Sequence, residues 1–176
     1  MSSKVRLKIA QKAIKMQNMM TINACLETTD NIYYEDVIFV DFCRGIENNT
    51  GGKTYDTNNS LSFKFSSLAL RELGYGIKEL IATKKTTYKK VSEPRLAGAE
   101  GAKKTVSLGT SEKDGIIKCF INAKKDNEKN IALSFFNYEL LSLVDVLNNI
   151  ADLTDSKLFE IQRLVDKNIR EQKQWD

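Results

Sequence analysis

The sequence predicts an α+β protein built from two strand-rich antiparallel sheets, each followed by a helix, with the helices on one side of the sheets. Two observations carry this. A strand-rich stretch ending in Phe63-Lys64-Phe65 runs straight into a helical stripe, and a second, Lys-loaded stretch ending in Leu133-Ser134-Phe135-Phe136 does the same. That order gives a ββββα unit twice. The chain has 176 residues, the size of one domain, and its 41% hydrophobic content is enough for a core. A single domain over 1–176 is therefore expected, with 1–15 a basic arm or first strand and 16–83 the first sheet–helix unit. Residues 84–153 form the second unit and 154–176 a C-terminal helix and tail.

The first stretch fits two readings. Val5, Leu7 and Ile9 alternate with Arg6 and Lys8 as in a strand, whereas Ile9, Ala13 and Met16 also fit a helix. From Met16 to Leu26 the alternation is clearer, with Met20, Ile22, Ala24 and Leu26 on one side. Val37 to Cys43 is the next strand, with Ile38, Val40 and Phe42 on its core face. A Gly/Asn-rich loop from Glu47 to Gly52 leads to a strand in which Leu61, Phe63 and Phe65 alternate with Ser62 and Lys64.

Ser66 or Ser67 can cap the helix that follows, because a serine oxygen accepts from a free N–H of the first turn. Leu70, Leu73, Ile77 and Leu80 recur at helical spacing and form one stripe. Gly74 and Gly76 each cost about 1 kcal/mol relative to Ala inside a helix. Close helix–sheet contact is the expected reason.

The second half reads as a strand from Thr87 to Glu93, a small-residue loop from Leu96 to Ala102 and a strand around Thr105 to Leu108. Asp114-Gly115 is a hairpin signal between alternating runs. In the next strand Ile117, Cys119, Ile121 and Ala123 make the core face, leaving Lys118, Phe120, Asn122 and Lys124 on the other. A turn from Lys125 to Asn130 precedes the strand Ile131 to Phe135. The last helix carries Leu140, Leu143, Leu147 and Ile150, and a break is expected at Asp152 to Asp155 before it resumes through Leu158, Ile161, Val165 and Ile169. Packing on its own domain is the expected fate of that final segment, with some contact to another subunit.

Charge is distributed in blocks. Residues 1–26 carry five basic residues and no acid, and residues 84–125 carry eleven basic and four acidic. The intervening residues 27–83 have nine acids to five bases, and residues 126–176 ten to six. The lysines thus gather in strand-rich stretches, which points to a polyanion-facing surface.

Histidine is absent, which removes the commonest general base and metal ligand. Three cysteines, Cys25, Cys43 and Cys119, lie in apolar strand-like context without Cys-x-x-Cys spacing. They read as small buried hydrophobes in a reducing compartment, which is expected to be the cytoplasm. No apolar run is long enough to span a membrane. Asn49-Thr50-Gly51-Gly52-Lys53-Thr54 lacks full phosphate-loop spacing and precedes a strand pattern, so it reads as a hairpin loop. The carboxylates Glu35, Asp36 and Asp41 form no pattern with metal-ligand spacing. An enzyme is not expected, and neither is a cofactor. The Trp175-Asp176 end reads as a frayed terminus.

The chemistry that stands out is a cationic, aromatic and amide-bearing surface. Lys118, Phe120, Asn122 and Lys124 share one strand face, and Tyr88, Lys89, Lys90, Lys103 and Lys104 are expected to join them. Lysines neutralise phosphates and rings stack on unpaired bases, so single-stranded nucleic acid is the matching partner. The competing reading has Phe120 packed under a loop and the lysines merely solvated. Lys15, Asn18 and Lys64 complete the candidate set.

The order of elements resembles the Whirly family of single-stranded DNA-binding proteins, and more broadly the positive-cofactor-four-like fold. Lys53-Thr54-Tyr55-Asp56 follows the Val37–Cys43 strand, Lys64-Phe65 leads to Glu72-Leu73-Gly74, and Phe135-Phe136-Asn137-Tyr138-Glu139-Leu140 opens the later helix. The similarity spans about Lys15 to Leu153. Where the family has Lys-Gly-Lys-Ala-Ala-Leu-Ser, this chain reads Lys15-Met16-Gln17-Asn18-Met19-Met20, and Thr57 replaces the family's tryptophan after Tyr-Asp. The resemblance implies two ββββα units, single-stranded DNA binding in support of replication, recombination or repair, and a homodimer or homotetramer. An RNA-binding protein on the same fold and an adaptor that binds another protein are the rival expectations.

Overall fold

Period-two alternation shapes the architecture: most strands carry one apolar side that the core buries, while Val5, Leu7 and Val91 stay partly exposed. The computed structural model describes residues 4–30, 32–47, 52–92, 103–126, 128 and 130–172. Strands β1 (Val5–Lys15), β2 (Met19–Thr28), β3 (Glu35–Glu47) and β4 (Lys53–Phe65) precede helix α1 (Ser67–Thr83). Strands β5 (Lys89–Ser92), β6 (Lys104–Lys113), β7 (Ile116–Lys125) and β8 (Ile131–Phe135) precede helix α2 (Asn137–Gln172). Each set of four forms an antiparallel sheet in simple sequence order. The ββββα arrangement expected twice is therefore present, and the ambiguous first stretch is a strand.

The two sheets share one core. Met20, Ile22, Ile38, Val40, Phe42, Phe63 and Phe65 of the first sheet join Val106, Ile121 and Leu133 of the second in a single buried cluster. Leu70, Leu73, Ile77 and Leu80 of α1 and Leu140, Val144, Leu147 and Ala151 of α2 complete it. Phe42 and Phe63 meet edge to face at 5.8 Å. The two helices pack along one another, α1 against β3, β4 and β6, and α2 against β1, β2, β3 and β7. The loop 96–102 and the Trp175-Asp176 terminus lie outside the described residues.

Local signals behave as their chemistry requires. Ser66 Oγ accepts from Ala69 N at 3.1 Å and caps α1, while Asp36 accepts from Ser67 N at the same helix end. The β6–β7 hairpin closes on Asp114 and Gly115, both with positive φ, with Lys113 paired to Ile116. The Lys53-Thr54 pair opens β4, so the phosphate-loop lookalike enters a strand.

Three expectations need correction. Helix α2 does not break at Asp152 to Asp155; it runs unbroken for 36 residues, about 54 Å at 1.5 Å per residue. Arg71 of α1 takes both of these acids, at 2.6 Å from Asp152 and 2.8 Å from Asp155, so they clamp the helices together rather than end one. Nor is the end of α2 buried in its own domain. Beyond Thr154 none of its described residues is fully buried, and Phe159 is 72% exposed. Gly74 does not answer to a sheet: a Cβ there would sit 3.6–3.7 Å from Asn148 and Val144 of α2, an ordinary contact.

Gly76 is different. A Cβ there would lie 2.7 Å from Tyr88 Cβ and 3.2 Å from Leu108 Cδ1, too close to the root of the tyrosine for rotation to relieve. The two glycines should therefore respond with opposite signs. Gly74→Ala is expected to stabilise by about 0.5–1 kcal/mol through helix propensity. Gly76→Ala is expected to destabilise by about 1–3 kcal/mol through overpacking. Urea midpoints at unchanged m-values would read both, and a stabilised Gly76→Ala would refute the close approach.

Candidate nucleic-acid interface

The second sheet turns one side away from the core, and cross-strand register defines what that side carries. Lys89 pairs with Ser107, Ser107 with Asn122, and Asn122 with Ala132. Gly109 pairs with Phe120 and Phe120 with Ser134, while Thr105 pairs with Lys124 and Ser111 with Lys118. Because Cys119, Ile121 and Ala123 point into the core, these neighbours point outward. The outer face therefore combines Lys89, Lys118 and Lys124 with a ring, an amide and small hydroxyl residues.

Phe120 owes its position to a glycine. A Cβ on Gly109 would lie 2.4 Å from Phe120 Cζ, so the ring occupies the space that the missing side chain leaves on the neighbouring strand. The ring is half-buried against its own sheet. Among the described residues, Asn122 Oδ1 is a buried side-chain oxygen without a hydrogen-bond partner. Lys118 Nζ sits 5.2 Å from the centre of the Phe136 ring.

The remaining candidates go elsewhere. Adjacent residues on a strand face opposite ways, so Lys90 turns inward from Lys89, and its ammonium lies 4.7 Å from the Phe65 ring. Lys104 shares the parity of buried Val106, lies 5.9 Å from the Phe63 ring and donates to Ser62 O at 3.0 Å. Both lysines thus bridge the sheets along β4. Tyr88 packs on Gly76 of α1, where burial, with Glu72 adding to it, pushes its phenol well above the ordinary range. Lys103 is exposed just before β6, and its carbonyl accepts from Asp126 N at 3.0 Å. The expected single surface is therefore divided between the two sides of the sheet.

Asn18 is a tie between sheets. Its Nδ2 donates to Ala132 O of β8 at 2.7 Å, and its Oδ1 accepts from Gly45 N of β3 at 3.0 Å. Tyr55 Oη donates to Met16 O at 2.9 Å and secures the same turn. Lys15, next to this turn, is exposed. Lys64 lies on the outer side of the first sheet, 3.9 Å from Glu27.

Sequence reasoning missed two groups. On the first sheet, Arg6 stands 5.0 Å over the Phe39 ring, with Asn23 and Thr21 donating to Asp41 nearby. That pairing was hidden while β1 could be either helix or strand. At the end of β8, Phe136 stacks on Tyr138, rings 5.9 Å apart and 5° from parallel. Its signal was the Phe-Phe pair itself, since two adjacent strand residues cannot both face inward.

Among the described residues no cluster of three His, Cys, Asp or Glu could hold a metal, and no helix is long and apolar enough to cross a membrane. Cys25, Cys43 and Cys119 are free and buried, and burial raises each thiol. Asp36 and Asp41 are engaged in the hydrogen bonds given above.

This architecture is shared with proteins of known structure. WHY1 from Arabidopsis thaliana superposes with a TM-score of 0.54 at 12% identity, over 85% of this chain and 86% of that one. The plant transcriptional regulator PBF-2 superposes with a TM-score of 0.54 at 15% identity, over 86% of this chain and 93% of that one. The Whirly-like fold implied by the sequence motifs is thus the fold observed. No protein-family model and no curated protein matches the sequence.

Glu27 governs how many cations of the first sheet are available. It is 4% exposed and takes Arg6 at 2.5 Å, Lys4 at 3.3 Å and Lys64 at 3.9 Å. Burial alone would raise its carboxyl, but hydrogen bonds from Arg6 and Lys4 outweigh that and hold it below its ordinary value of 4.5. A depressed carboxylate stabilises fully above the unfolded value and loses that contribution as pH falls through the folded one. Glu27→Gln should therefore cost about 1–3 kcal/mol at pH 7. It should also flatten the loss of stability below pH 4.5. Urea unfolding from pH 7 to pH 3 tests this; parallel profiles for the two proteins would show that Glu27 contributes no ionised contact.

Proposed function

We propose that this chain holds single-stranded DNA against the outer face of its second sheet, without a catalytic step and with little base-edge readout. The observation that carries this reading is the single strand face of β7, where Lys118, Phe120, Asn122 and Lys124 point outward together beside Lys89. Lysines at that spacing neutralise phosphates, and the exposed part of the half-buried Phe120 ring can stack on an unpaired base. The fold shared with WHY1 and with the transcriptional regulator PBF-2 supports the reading. Service to replication, recombination or repair is the setting we assign to it. Preference for DNA over RNA is part of the proposal, and competition by a matched RNA oligomer measures it, since a site that uses the 2′-hydroxyl prefers RNA.

Self-association as a dimer or tetramer is the companion proposal. Phe159 and Leu164 expose apolar side chains on the length of α2 that leaves the core, with Leu153 exposed just before it, and such surface favours a second copy of the chain. Sedimentation of the native chain measures it.

Single strands are expected to bind more tightly than duplex, because opening a duplex costs stacking and pairing at every step. Lys118→Ala with Lys124→Ala should lower affinity and reduce the slope of log affinity against log salt by about 0.7 per lysine. Folding should be preserved, since both side chains are exposed. Lys157→Ala with Lys167→Ala is the control, as these lysines pair with Glu160 and Glu171 on α2. A larger loss from the helix pair than from the strand pair would place binding on the wrong side of the protein.

A further inference from the structure

The junction of β8 and α2 presents two aromatic rings that the core does not use. Phe135 pairs with Cys119 and is buried, so alternation sends Phe136 outward at the level of Lys118, whose ammonium sits over its ring. The start of the helix then brings Tyr138 parallel to Phe136. Phe136 is 41% exposed and Tyr138 68%. Glu139 Oε2 accepts from Phe136 N at 2.7 Å, which fixes the first turn and holds the pair in place.

Beyond Tyr138 lies an open groove of about 400 Å³ between the start of α2 and the end of β1. Lys12, Lys15, Ile14, Met16, Glu139 and Tyr138 are among its walls. Both lysines are exposed. The β1 wall does not hang free: Asn18 fastens the adjoining turn to β8 and β3, and Tyr55 fastens it to β4. Among the described residues lining it, Glu139 is the acid, and its carboxylate is already on the backbone of Phe136.

Parallel, exposed rings with cations on both sides match the chemistry of a nucleotide, which joins a flat base to an anionic phosphate. We propose that Phe136 and Tyr138, flanked by Lys118 on one side and by Lys12 and Lys15 on the other, form a base-stacking subsite. There a single strand leaves the outer face of the second sheet and crosses the edge strand β8 toward β1. This deepens the nucleic-acid reading and rests on it. The path it defines runs from Lys124 through Phe120 and Lys118 to the ring pair, then into the groove beside Lys15.

The test uses the full chain with an oligodeoxythymidylate, read by fluorescence anisotropy across a salt series. Tyr138→Ala is expected to weaken binding about 5- to 150-fold per lost stack, with the salt slope unchanged, because a ring and not a charge is removed. Tyr138→Trp should bind at least as well as the native chain. Lys12→Ala with Lys15→Ala should reduce the slope. Photocrosslinks from an oligomer carrying 5-iododeoxyuridine should map to Phe136 or Tyr138. If the native chain binds but Tyr138→Ala binds equally and crosslinks map only to Phe120, the subsite is wrong and the sheet face stands. If the native chain binds no oligomer at low salt, both readings fall.

Discussion

Two four-stranded sheets must bury their apolar sides in one core, and this constraint decides what every other residue can do. Phe42, Phe63 and Phe65 on one sheet and Val106, Ile121 and Leu133 on the other meet the same two helices. With the helices occupying the inward side, strand alternation assigns each polar residue to the outward side or to a seam. Function can then be built only from what alternation leaves over. On β7 this remainder is a lysine, a phenylalanine, an asparagine and a second lysine at alternate positions, with the lysines exposed and Phe120 and Asn122 half-buried.

Cations are accordingly divided by geometry rather than by number. Lys90 and Lys104 lie over the rings of Phe65 and Phe63, where their charge faces aromatic surface along β4. Lys4, Arg6 and Lys64 surround the buried carboxylate of Glu27. These groups hold strands together, and a phosphate would have to compete with partners they already have. Among the described residues, Lys89, Lys118 and Lys124 pair with no acid in the register of the second sheet. A net charge of +4 therefore understates the field over one face and overstates it over the other.

The fold was legible because its signals are local. Alternation in Met20 to Leu26 and in Cys119 to Ala123, the Asp114-Gly115 turn and the Ser66 cap each follow from residues a few positions apart, whereas Ile117, expected on the core face, is 39% exposed beside the hairpin turn. The candidate site was legible only where it occupies one strand. Lys118, Phe120, Asn122 and Lys124 share a face by parity alone, but placing Lys90, Lys104 and Tyr88 required knowing which side of their strand met the core. Asn18 reads as a turn asparagine until its amide is seen to span β3 and β8, residues 27 and 114 positions away. The continuity of α2 was hidden for the same reason: Asp152 and Asp155 are breaker-like in sequence, and their partner Arg71 is 81 residues from the first of them.

That partner also explains how α2 can outrun its core. Beyond the core the helix gains less from burial, since Leu158, Ile161, Val165 and Ile169 are only half-buried, so contacts made before that point must help set its direction. Arg71 grips it from α1 at the last buried turn, where Thr154 also donates to Ile150 O at 2.7 Å. Farther along, Gln162 donates to Ile32 O at 3.2 Å and holds the helix against the β2–β3 connection. Phe159 and Leu164 of α2 and Lys118 and Lys124 of β7 thus belong to different elements, so the self-association proposed above draws on none of the side chains that carry the proposed strand-binding face.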